Sequence, residues 1–174
     1  TLTDRILARH GATQYRTDPA MQQDLQRLLS LLDGHPLALE VVLANLAQQT
    51  PAQVLAALQS SEGKLETQQG AGDEDQRARD ERSTSILACI AYSHSNLSPA
   101  AQQLLLCLAP FTGVINRQWL PQYTAQLQKQ PALAGLPYDR WDEVLDEAIN
   151  WGLLTVDGTY LRIQPIFPYF LRKR

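Results

Sequence analysis

At 174 residues, 44% of them hydrophobic, the chain is long enough for one mid-sized domain or two small ones that share an interface. A formal net charge of -3 excludes a global attraction to nucleic acid or to an anionic membrane surface. No apolar run reaches membrane-spanning length and no signal peptide opens the chain. Cys89 and Cys107 stand in apolar helical surroundings, as buried thiols of a reducing compartment do, so a cytoplasmic location is expected.

In chain order, "LTDRILARH" places Leu2, Ile6 and Leu7 near helical spacing, with Thr3 or Asp4 as cap, and the helix should stop near Gly11. A polar connection, "GATQYRTDP", follows. Asp18-Pro19 then starts a helix with Met21, Leu25, Leu28, Leu29 and Leu32 on one face, which Gly34 ends. Pro36, whose ring presets φ and whose missing N–H is harmless in a first turn, opens "PLALEVVLANLAQQ", with Leu37, Val41, Leu43 and Leu46 expected inside. Thr50-Pro51 caps a further helix carrying Val54, Leu55 and Leu58. Four helices packed face to face give a small bundle over residues 1–60.

Residues 61–83 hold one leucine and no aromatic side chain, too little apolar surface to offset ordering entropy, and read as a linker. Beyond them "TSILACIAYSHSNL" and "SPAAQQLLLCLAPF" are amphipathic helices, the second capped by Ser98 with Pro99 in its first turn. "INRQWLPQYTAQLQ" reads as a third helix, bent or stopped at Pro121. In "YDRWDEVLDEAINWGLL", Trp141, Val144, Leu145, Ala148 and Ile149 share a face, and Gly152 ends the helix. The period then changes: "LLTVDGTYLRI" alternates across Asp157-Gly158, a strong hairpin signal, and "PIFPYFLRKR" closes with a short helix whose basic end suits the helix dipole. The expected fold is therefore mainly α: a small helical bundle, then a winged-helix domain over 84–174 with a short antiparallel β-hairpin.

This order of pieces resembles the regulatory half of the STAND nucleotide-switch ATPases, the NB-ARC type found in plant disease-resistance proteins, apoptosome-forming proteins and many bacterial signalling proteins. Gly34-His35-Pro36-Leu37-Ala38-Leu39 is similar to the family's Gly-x-Pro motif, and "ERSTSILACIAYSHSNLSPAAQQLLLCLAPFTGVINRQWL" looks like the opening of its winged-helix domain. "YLRIQPIFPYFL" resembles the segment after the wing in which that family carries a histidine sensing the β-phosphate; this chain has Gln164 there, which can donate a hydrogen bond but does not titrate near neutral pH. There is no G-x-x-x-x-G-K-[ST] phosphate loop and no apolar strand ending in paired acids to hold Mg²⁺, so this chain alone is not expected to be an enzyme. The chain opens on Thr1, as a fragment or processed product would. The resemblance implies an upstream P-loop domain in the same parent chain, ADP or ATP bound only together with it, a downstream repeat or effector domain, and self-oligomerisation in the ATP state.

On that resemblance the Gly34-His35-Pro36 corner meets the adenine end of the nucleotide; without it, the corner is ordinary helix punctuation. Arg162 or Gln164 would face the phosphates, or Gln164 simply closes the wing. His10, His35 and His94 have no metal-ligand spacing, and Ser93, Ser95 and Ser98 lack a glycine-flanked nucleophile elbow, so capping accounts for them better. The acidic pairs Asp142-Glu143 and Asp146-Glu147 read as a solvated helix face, and Trp119, Trp141 and Trp151 as packing residues. DNA binding is a competing reading, but the helix containing Arg117 offers no other cation and the hairpin turn is "VDGT", so DNA is not an expected partner. A protein-interaction scaffold that never meets nucleotide is the third.

Overall fold

The computed structural model describes residues 1–65 and 86–173, which are mainly helical with a small three-stranded antiparallel sheet. They divide into two compact units, Thr1–Ser93 and His94–Arg174. The part of the expected 61–83 linker from residue 66 onward lies outside the described residues. Among the described residues no helix is long and apolar enough to cross a membrane.

In the first unit, α1 (Leu2–Arg9) is capped by Thr1, not by Thr3 or Asp4. The Thr1 hydroxyl accepts from the Asp4 N–H while the Asp4 side chain returns to the Thr1 backbone, a reciprocal cap. Residues read as a polar connection contain a single helical turn, α2 (Gln14–Thr17), whose Tyr15 is buried. Asp18 caps α3 (Pro19–Leu31) by accepting from the Ala20 N–H at 2.9 Å. Beyond the corner, α4 (Pro36–Ala44) buries Ala38, Leu39, Val41, Val42, Leu43 and Ala44, an apolar surface all round that marks a central helix; Leu37 is only half-buried. Thr50 and Gln53 cap each other at the start of α5 (Pro51–Leu65), which packs on α3 while α1 packs on α4.

Residues 86–95 form helix α6, within which the two units divide. Ser98 caps α7 (Pro99–Leu105), as its sequence foretold, and α7 tightens into a 3₁₀ turn over Leu106–Leu108. The expected helix from Ile115 is corrected: Val114–Asn116 form strand β1, Arg117–Trp119 a 3₁₀ turn, and only then does α8 (Leu120–Leu127) begin. Pro121 therefore sits in the first turn of α8, where a missing N–H costs nothing, and neither bends nor stops it. Trp119 is 65% exposed, against its reading as a packing residue, whereas Trp141 and Trp151 are buried.

Helix α9 (Trp141–Asn150) leads into β2 (Leu154–Asp157) and β3 (Tyr160–Ile163), and α10 (Phe167–Arg172) follows. The hairpin loop is Gly158-Thr159, one residue later than its sequence suggested, because Asp157 pairs with Tyr160 inside the ladder. Only the first loop residue has positive φ, +61° at Gly158, the pattern of a II′ turn, which glycine adopts without a Cβ penalty. The sheet order is β1-β3-β2, with Ile115 opposite Leu161 and Leu154 opposite Ile163, and these four side chains are buried.

Candidate functional site

The Gly34-His35-Pro36 corner is built by two successive residues on the left-handed side of φ. Asp33 has φ +46° and Gly34 φ +64°; among the described residues Asp33 is the one non-glycine with this conformation. These two reverse the chain after α3, and His35 N–H closes the turn on the Leu32 carbonyl at 2.9 Å. His35 is then extended and serves as the N-cap of α4, its carbonyl accepting the first intrahelical bond from Leu39 at 2.9 Å. Asp33, Gly34 and Pro36 are exposed and His35 is half-buried. Its Nδ1 is out of water and has no hydrogen-bond partner among the described residues, a feature that helix punctuation leaves unexplained.

A Cβ built on Gly34 meets nothing within 4 Å, so only its φ resists substitution. Gly34→Ala should therefore cost about 1–2 kcal/mol, the left-handed penalty of an L-residue, as a lower urea midpoint at unchanged slope. A loss of under a few tenths of a kcal/mol would show that the corner tolerates another backbone path.

Arg162 and Gln164 are near neighbours in sequence with opposite surroundings. Arg162 points out of β3 and pairs with Asp157 across the hairpin, an exposed ion pair of little energetic consequence. Gln164 is 5% exposed just beyond the end of β3, where its backbone N–H reaches the Leu153 carbonyl at 3.3 Å and its carboxamide lies 3.4 Å from the Thr155 hydroxyl. Gly34, His35 and Pro36 belong to the first unit; Arg162 and Gln164 belong to the second.

Among the described residues no group of histidine, cysteine or carboxylate side chains could hold a metal ion. Burial pushes the Cys107 thiol up, opposed by a hydrogen bond with Tyr138, so it is a poor nucleophile. Burial, then the neighbouring Arg9 charge, lowers His10 below its ordinary value. On α9, Arg117 spans Asp142 at 3.4 Å and Asp146 at 2.6 Å, and Arg140 pairs with Glu143 at 2.8 Å, as on a solvated face. Glu147 departs from that face: it is half-buried and accepts from both the backbone N–H and the hydroxyl of Ser98. The sequence carried no separate signal for it, since its spacing is that of its three acidic neighbours. No protein-family model, no curated protein and no solved structure matches the chain.

Proposed function

We propose that this chain is the non-catalytic regulatory part of a nucleotide-dependent switch of the STAND/NB-ARC kind, completing an ADP/ATP site whose phosphate-binding loop is supplied by an upstream P-loop domain. The observation that carries the reading is the corner: an exposed proline beside a half-buried imidazole with an unpartnered Nδ1, held by a left-handed Asp33-Gly34 pair. Pro36 offers an apolar ring to a base, Gly34 lets the backbone approach it, and His35 Nδ1 offers one hydrogen bond. The second unit supports the reading through its order of elements, one helix, a strand, two helices and a hairpin in a β1-β3-β2 sheet, which is the order of a winged helix.

In this switch Arg162, whose side chain makes an exposed ion pair with Asp157, is the cation that turns towards phosphate, while buried Gln164 closes the base of the wing. The switch requires different contacts with ADP and ATP, because a ligand of equal affinity for both conformations shifts nothing. Exchange would release the winged helix for self-oligomerisation and signalling to a downstream domain.

DNA binding is the weaker reading. The helix before the hairpin, which reads the groove in a DNA-binding winged helix, is here α9, and it turns Asp142, Glu143 and Asp146 to solvent. Phosphates would be repelled. The test is the nucleotide content of the protein carrying this chain behind its P-loop domain. ADP should be retained through purification and fall about tenfold on Pro36→Ala, the effect of about 1.4 kcal/mol of lost contact. No nucleotide in either protein would sink the proposal and leave the scaffold; salt-dependent DNA binding by the chain alone would favour a transcription regulator.

A further inference from the structure

One concave face of the second unit takes no part in the nucleotide reading and shares no residue with it. It is a half-open groove between the end of α7 with its 3₁₀ turn, α8, and the turns over 131–136, with a volume of about 590 Å³, within the range of small-molecule sites. Its apolar wall is set by Leu106, Leu127, Leu133 and Leu136. Among the described residues no aspartate, glutamate, lysine, arginine or histidine lines it; its polar side chains include the carboxamides of Gln103, Gln126 and Gln130.

The walls are fixed by polar contacts among and behind the lining residues. The Tyr123 hydroxyl on α8 donates to the Cys107 carbonyl at 2.6 Å, and its ring meets Phe111 edge-on at 4.9 Å. The Trp141 indole N–H donates to the Thr124 hydroxyl at 2.9 Å, and the Tyr138 hydroxyl holds the Leu133 carbonyl at 2.9 Å. All three walls are therefore pinned, and a ligand entering would order little of the protein.

We propose that this pocket binds a neutral, apolar small molecule carrying one hydrogen-bonding head, its apolar body against the leucines and its head at the glutamine carboxamides. The uncharged lining selects the class, since an ionised ligand would lose hydration with nothing to replace it. Lys129, whose ammonium donates to the Gln126 Oε1 at 2.9 Å, is engaged with the rim and is not part of the lining. Carboxamides supply both donors and acceptors, so a carbonyl or a hydroxyl head is satisfied equally. The depth of the leucines favours a small molecule over a partner helix: Leu127 is buried, Leu133 and Leu136 are half-buried, and Leu106 alone of the four is exposed, at 40%.

The test is a titration of the chain with N-phenyl-1-naphthylamine, a neutral apolar dye whose emission rises away from water. Saturable binding at one site per chain is expected. Leu106→Glu, at the rim, should weaken it about tenfold by placing a charge against an apolar ligand, while Leu2→Glu, an exposed leucine of the other unit, should leave it unchanged. Leu106→Gln is the substitute variant should the charged one fail to fold. Unsaturable binding, or binding indifferent to both Leu106 variants, overturns the proposal. So does a dimer in sedimentation that Leu106→Glu dissolves and that excludes the dye, because the face would then be an interface between copies. None of these outcomes bears on nucleotide retention at the corner.

Discussion

Asn45→Asp should destabilise the chain by about 3 kcal/mol or more at neutral pH, the scale on which an unpaired buried charge acts. Asn45 is fully buried where α4 gives way to the 3₁₀ turn Asn45–Ala47. Its Nδ2 donates to the Val41 carbonyl at 2.7 Å and to the Ser93 hydroxyl at 2.9 Å. The carbonyl settles which end of the carboxamide is which, because an oxygen so placed would face another oxygen. Aspartate puts that oxygen there with a negative charge. Acidification should shrink the deficit, since protonation returns a donor to the site. Asn45→Leu should cost less, about 1–3 kcal/mol, because it removes the donor but also the Asn45 Oδ1, which has no hydrogen-bond partner among the described residues. Urea unfolding of the three proteins at pH 7 and pH 5 reads both effects. An aspartate variant within 1 kcal/mol of the parent would mean that water or a backbone shift reaches Asn45.

What was legible in the sequence was set by local rules. Asp18-Pro19, Gly34 with Pro36, Ser98-Pro99 and Asp157-Gly158 each specify a start, a stop or a turn within a few residues, and the elements they predict are present. β1 obeyed no such rule. Its three residues are too few to alternate, and Ile115 with Trp119 fits a helical interval, yet pairing with β3, far along the chain, makes Val114–Asn116 a strand. Trp119, read with Trp141 and Trp151 as a packing residue, instead lies in a 3₁₀ turn and faces solvent. Of the candidate site, the corner was visible through its glycine and proline, but not the left-handed Asp33, a conformation that nothing in the residue type demands. Gln164 and Arg162 should share a face if β3 continued; it ends at Ile163, and the alternation ends with it. Whether an acidic side chain on α9 meets solvent or another helix start is likewise decided by tertiary placement, and there the four carboxylates part.

Glu147→Ala should cost about 2 kcal/mol, within the range for hydrogen bonds to a charged group. Ser98 caps α7 by accepting from the Ala101 N–H at 3.2 Å. In a capping box the third helical residue would return a carboxylate to the cap, but here that residue is alanine. Glu147, from α9, takes its place: one carboxylate oxygen accepts from the Ser98 backbone N–H and the other from the Ser98 hydroxyl at 2.8 Å. The box is thus closed between two helices, and losing Glu147 leaves the Ser98 N–H without its acceptor while freeing α9 from α7. Glu147→Gln keeps one acceptor and should lose about half as much. Ser98→Ala and Glu147→Ala should be strongly non-additive, since each removes the other's partner. Glu143→Ala, which loses only the exposed pair with Arg140, should change stability by no more than about 0.5 kcal/mol. If the two glutamate variants were equally mild, or if the Ser98 and Glu147 effects simply added, the contact would be a surface ion-dipole pair, and α7 would owe its start to Ser98 and Pro99 alone.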